Sequence, residues 1–191
     1  MSRWKQNHSM FNVQSSMFNV ECSKFSVHCS VYFMSFDNPN TLEIDGRTLR
    51  VAIVASRYNG MLVDSLLKHV MANLALADVP TIPVERVPGS AELPYAASVL
   101  ADPARFDAII ALGIVIAGDT SHHTIIGEST ALALQEISIR QKVPVINGIL
   151  VVNTVEQAQE RVGGTINRGK EFAQAALEMA QLKKKWETTH Q

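Results

Sequence analysis

From residue 49 onward, apolar positions follow two rhythms in turn. LRVAIVAS (49–56) is an unbroken apolar, β-branched run, the pattern of a strand buried on both faces. Val63, Leu66, Leu67, Val70 and Leu74 then fall at helical spacing and predict a helix over 61–77. TIPVERV (81–87) reads as a second strand, and 91–101 as a second helix. DAIIALGIVI (107–116) is a third strand and 122–141 a third helix, rich in Ala, Leu and Ile. VPVINGILVV (143–152) is the fourth strand. Thr154 with Gln157 fits a helix capping box, and a last helix is predicted over 168–185, with Phe172, Ala176, Met179 and Leu182 on one face. Repeated strand–helix alternation with short links predicts an α/β fold: a three-layer αβα sandwich around a four-stranded parallel sheet.

The first 33 residues break this pattern. Residues 10 to 33 repeat every seven positions as MFNVQSS, MFNVECS, KFSVHCS and then VYF. Phe and Val lie two apart in each unit (Phe11 and Val13, Phe18 and Val20), which is strand-like alternation and not a coiled-coil seam. The near-identical units look like a translated tandem repeat, and no basic segment leads into a long apolar core as in a secretory signal. The expectation is an N-terminal extension over 1–47, largely disordered or read from an upstream start codon, with Met34 as the start. A domain over 48–185 and a short tail over 186–191 follow.

Composition narrows the function classes. Of the 191 residues 47% are apolar and 18% charged, enough for a real core. A net charge of −1 gives no global field to attract nucleic acid or an anionic membrane. Lys183-Lys184-Lys185 reads as a solvated helix end. No apolar stretch approaches the roughly 18 residues of a membrane span. Both cysteines, Cys22 and Cys29, precede the domain, so a cytoplasmic, disulfide-free protein is expected. Cys22, His28 and Cys29 match no established zinc spacing.

In open parallel sheets ligands bind at the carboxyl ends of the strands. That rule selects the loops Ser56-Arg57-Tyr58-Asn59, Pro88-Gly89-Ser90-Ala91-Glu92, Gly118 to His122, and Asn147 onward. No G-x-G-x-x-G follows the first strand. Gly164-Thr165-Ile166-Asn167-Arg168-Gly169-Lys170 resembles a P-loop, but Glu171 stands where a hydroxyl must meet magnesium. His122 and His123 are adjacent and point about 100° apart on a helix, a poor metal pair. Gly118-Asp119-Thr120-Ser121 before them offers free N–H groups at a helix N-terminus, a ready anion seat. A histidine there suits proton transfer near neutral pH, and Arg161 and Arg168 offer counter-charge to a phosphate.

Taken together, the motifs resemble the 6,7-dimethyl-8-ribityllumazine synthase family across residues 48 to about 183. The segments carrying the resemblance are SRYN (56–59), VPGSAELP (87–94), GIVIAGDTSH (113–122), VPVINGIL (143–150), EQA (156–158) with Arg161, and NRG (167–169). The resemblance implies a flavodoxin-like fold. It also implies a cofactor- and metal-free condensation of a ribitylamino-pyrimidinedione with 3,4-dihydroxy-2-butanone 4-phosphate. By position, Tyr58 is expected to stack on the pyrimidine ring, flanked by Asn59. Ser90, Ala91, Glu92, Val115 and Ile116 would bind the ring and ribityl chain, together with Asn147 and Arg168. Asp119, Thr120 and Arg161 would hold the phosphate. His122 would move protons, with His123 a bystander. The family implies homo-oligomers, pentamers or larger shells, with Asn147, Arg161 and Arg168 donated by a neighbouring subunit.

Three positions depart from the family pattern. Ala117 replaces an arginine, His123-Thr124-Ile125 replaces an aromatic followed by an acid, and Asn147 replaces an aromatic. They leave open a non-catalytic flavin- or lumazine-binding relative as the alternative to the enzyme. A purely structural shell protein fits the retained polar loops poorly.

Overall fold

The structure is a computed structural model that describes residues 42–189. The heptad repeat, the Met34 start and the Cys22, His28 and Cys29 set lie outside the described residues. The elements run β1 (Val51–Ser56), α1 (Gly60–Leu76), β2 (Val84–Val87), a 3-10 turn (Ser90–Glu92), α2 (Leu93–Leu100), β3 (Ala108–Ile116), α3 (His122–Gln141), β4 (Val145–Val152), α4 (Val155–Gly163) and α5 (Arg168–Thr189).

The strands form one parallel sheet in the order β2-β1-β3-β4. Central Ile53 faces Val84 on one side and Ile110 on the other. All six residues of β1 are buried, as its unbroken apolar run predicts for a central strand. Alternate residues of β3 then serve two cores. Ala108, Ile110, Leu112 and Ile114 pack beneath α1, α4 and α5, and Ile109 and Ala111 pack beneath α2 and α3. The fold is the three-layer α/β sandwich that the periodicity predicts, flavodoxin-like as the resemblance implies.

Differences from the sequence reading sit at element ends. β2 starts at Val84 instead of 81, because Pro80 and Pro83 cannot donate to a ladder; Pro83 contributes only its carbonyl, to the Ile53 N–H at 2.9 Å. Helix α5 runs on to Thr189, past the boundary expected at 185. Residues before 48 also take part in the fold: Ile44 joins the core, the Gly46 N–H donates to the Ala77 carbonyl at 2.6 Å, and Gln174 donates to the Leu42 carbonyl at 3.0 Å.

Lys185 is exposed, but Lys183 does not belong to the solvated helix end that the composition of the lysine run suggests. The Lys183 side chain is 6% exposed and reaches Asp107, whose side chain is fully buried at the start of β3. The Arg50 guanidinium meets the same carboxylate at 2.7 Å, and the Arg50 N–H donates to it at 2.9 Å. Desolvation pushes the Asp107 carboxyl up, but the bonds from Arg50 and Lys183 outweigh it and hold the group below its ordinary range. One carboxylate thus ties the entries of β1 and β3 to α5, at the end of the sheet away from the loops singled out above.

Candidate functional site

The direction in which successive strands are added reverses between β1 and β3: β1 connects toward β2 at one edge, and β3 connects toward β4 at the other. The loops leaving these two strands therefore part and leave a crevice at their carboxyl ends. Asn59 spans it. Its side-chain N–H donates to the Ile114 carbonyl at 2.8 Å, so the loop after β1 is fastened to the end of β3. Asn59 itself takes φ 56°, a left-handed conformation that asparagine tolerates well, and starts α1.

The loop after β2 is fastened to its neighbour in the same way. Arg57 N–H donates to the Val87 carbonyl at 2.8 Å, and Tyr58 N–H to that of Pro88 at 3.0 Å. The Tyr58 ring is 73% exposed and lies along Gly89, where an added Cβ would stand 3.4 Å from it. Glu92 turns one carboxylate oxygen back to the Gly89 N–H at 2.8 Å. That bond orients the exposed carboxylate, and its other oxygen has no partner among the described residues. Ser90 is buried against β3: a Cβ on Gly113 would lie 2.5 Å from its hydroxyl and 3.0 Å from Leu93. Only glycine at 113 lets the turn bearing Glu92 seat this closely.

At the end of β3, half-buried Val115 and Ile116 lead through half-buried Ala117 into exposed Gly118, Asp119, Thr120 and Ser121, and α3 begins at His122. The His122 ring is exposed and makes no hydrogen bond among the described residues. His123 is half-buried, with Nδ1 3.1 Å from the Thr120 carbonyl oxygen. Sequence reasoning passed over two anchors here, the Asn59 bond to β3 and the His123 bond to the loop. Adjacency in sequence signals neither one.

The remaining candidates lie elsewhere. Arg161 on α4 and Arg168 at the head of α5 belong to the opposite helical layer from α3. Arg161 donates to the Gln157 carbonyl of its own helix at 3.0 Å, and Arg168 pairs with Glu171. No hydrogen bond or ion pair joins either arginine to the His122 loop among the described residues. Asn147 is exposed on edge strand β4, where its side-chain oxygen accepts from the Ile149 N–H at 3.1 Å. Among the described residues no hydrogen bond engages its side-chain amide N–H group. Hydrogen bonds and close contacts thus join Tyr58, Asn59 and the 89–92 turn to one another and to β3, which leads into the 118–122 loop, and among the described residues no hydrogen bond or ion pair joins Asn147, Arg161 or Arg168 to them.

The P-loop look-alike answers itself. The Glu160 carboxylate accepts from the Thr165 N–H at 2.9 Å and from its hydroxyl, and these bonds lower the Glu160 pKa. A carboxylate occupies the place a phosphate would need. Among the described residues no three His, Cys, Asp or Glu side chains gather as a metal-ligand set, and no helix is long and apolar enough to cross a membrane.

The family model described as 6,7-dimethyl-8-ribityllumazine synthase matches residues 48–184. A protein of that name from Thermococcus gammatolerans is 38% identical over 142 residues, covering 74% of this chain and 92% of that protein. Another, from Xanthomonas oryzae pv. oryzae, is 43% identical over 138 residues, covering 71% of this chain and 90% of its own length. All the polar loops described above fall within the matched span. The chain belongs to the 6,7-dimethyl-8-ribityllumazine synthase family.

Proposed function

We propose that this chain condenses 5-amino-6-(D-ribitylamino)uracil with 3,4-dihydroxy-2-butanone 4-phosphate to give 6,7-dimethyl-8-ribityllumazine, a step of riboflavin biosynthesis. The observation that carries the reading is the convergence of Asn59, Glu92 and the 118–122 loop on the crevice at the carboxyl ends of the strands, in a chain of this family. The chemistry is joining and elimination. A C–N bond forms between the amine and the ketone carbon, and water leaves. The C–O bond to phosphate then breaks, and the second nitrogen closes the ring with loss of another water.

Each step moves a proton, and the free His122 ring stands beside the loop proposed for the phosphate. His122 takes the acid/base role. The N–H groups of Asp119, Thr120 and the head of α3 receive the phosphate. Tyr58 stacks on the pyrimidinedione between Asn59 and Val115–Ile116, and the Glu92 carboxylate with the Ser90–Ala91 backbone accepts the ribityl hydroxyls. Most of the rate comes from holding two substrates together, a contribution of about 7 kcal/mol or more in well-oriented systems.

Arg161, Arg168 and Asn147 complete the site from a neighbouring copy. Each arginine is tied to its own helix, in the helical layer opposite α3. Exposed apolar residues support a homo-oligomer: Ile125, Leu132 and Ile139 recur every seven residues along α3 at 59%, 69% and 77% exposure. Tyr95 and Val99 are likewise exposed on α2, the neighbouring helix of that layer. A pentamer or larger closed assembly is the form proposed, in the cytoplasm, as the cysteine-free stretch from 48 to 185 suggests.

The test is turnover of both substrates, followed by lumazine absorbance. Turnover above background that falls about 10²–10⁴-fold in His122→Ala is expected for a general acid/base. Background turnover combined with tight flavin or lumazine binding would support the non-catalytic alternative instead.

A further inference from the structure

We propose that His123 is a positioning residue: its Nδ1–H holds the Thr120 carbonyl, so that the Thr120–Ser121 peptide presents its N–H to the phosphate. This role rests on the proposed phosphate seat at residues 118–121. The Nδ1 atom lies 3.1 Å from the carbonyl oxygen. A carbonyl only accepts, so the proton sits on Nδ1. In a trans peptide the C=O and the following N–H point in opposite directions. A Thr120 carbonyl drawn toward His123 therefore turns the Ser121 N–H to the other side, away from the imidazole.

The loop needs such a tether. It is anchored at its start by the Ala117 N–H on the Val152 carbonyl at 2.8 Å. At its end the Ser121 carbonyl accepts from Thr124 and Ile125 N–H groups at 3.1 and 3.3 Å. Between these, Gly118, Asp119 and Thr120 are exposed, and among the described residues no atom other than those of its chain neighbours stands within 4 Å of where a Cβ on Gly118 would be. Among the described residues, the Thr120 carbonyl is the one atom of that span held by a side chain. Fixing it before the anion arrives removes an ordering cost from binding. His123 is thus part of the seat, with no need to touch substrate.

Two amides separate this role from a general structural one. The Asn side-chain nitrogen occupies about the position of imidazole Nδ1, whereas that of Gln reaches toward Nε2. The experiment titrates the full chain and the variants His123→Ala, His123→Asn and His123→Gln with inorganic phosphate. It also measures KM for each substrate. His123→Ala is expected to bind phosphate about fivefold more weakly, the loss of one net hydrogen bond. Its KM for the phosphate-bearing substrate should rise similarly while that for the pyrimidinedione stays constant. His123→Asn should restore both values and His123→Gln neither.

Unchanged phosphate affinity in His123→Ala, equal rescue by Asn and Gln, or a parallel rise of both KM values would overturn the role. A wild-type chain that turns over both substrates but shows no affinity for inorganic phosphate would remove the seat itself. That outcome is distinct from a seat that binds phosphate without needing His123.

Discussion

His122 and Gly113 mark the two kinds of residue on which the proposed site depends. His122 was legible in sequence because a histidine following a strand, a glycine and a polar turn sits at a helix N-terminus, and the structure begins α3 at that residue. Gly113 was legible only as part of a motif. Its purpose appears in the contact it permits, with the Ser90 hydroxyl 2.5 Å from where a Cβ would stand. Gly113→Ala must push the Ser90–Glu92 turn off β3. It is expected to cost about 1–3 kcal/mol of stability, as overpacking does. It should also raise KM for the ribityl substrate by displacing Glu92; chemical denaturation and steady-state kinetics on the same variant check both. The Asn59 bond to Ile114 was hidden for a physical reason. It joins residues 55 apart, and periodicity carries no information on such contacts.

At the level of elements, buried strands and amphipathic helices were readable, and their ends were less so. Helix α4 shows the partial success of a capping rule. The Thr154 hydroxyl accepts from Gln157 N–H at 3.2 Å as a capping box requires, but the Gln157 side chain reaches back to Asn153 N–H instead of that of Thr154. Helix α1 ends with Val79 N–H on the Leu74 carbonyl at 3.1 Å and Asp78 at φ 61°, a Schellman close with aspartate where glycine is favoured. Asp78→Gly is therefore expected to stabilise the protein by about 1 kcal/mol, since glycine pays no penalty in the left-handed region. A higher midpoint in urea at constant slope is the expected result; an unchanged or lower midpoint would contradict this account of the helix end. The lysine run at the end of α5 misled for a related reason: composition reports charge, not the partner a charge finds 76 residues away.

On the scale of the whole molecule, that partner sets an acid limit. Asp107 is fully buried, and its folded-state pKa lies below its ordinary value. Such a group contributes stability above its unfolded pKa and loses it as pH falls through the folded pKa. Stability should therefore decline from about pH 4 downward, the ordinary aspartate range, and Asp107→Asn should remove that part of the decline. The same variant should cost about 2–4 kcal/mol near neutrality, discounted from a fully buried pair because Arg50 is 43% exposed. Thermal melts across pH check both parts. A wild-type profile matched by the variant would contradict them.

The arrangement of the two half-sites makes the largest claim: His122 and Arg161 act together only across a boundary between copies. Mixing subunits tests it most directly. His122→Ala and Arg161→Ala are each expected to be nearly inactive as homo-oligomers. Co-refolded in equal amounts, they form sites at random, and about a quarter of these draw an intact His122 from one copy and an intact Arg161 from the next in a closed ring. The account predicts recovery to about that fraction of wild-type turnover. Mixed oligomers that form but stay as inactive as either parent would place both residues in one chain's site and contradict it.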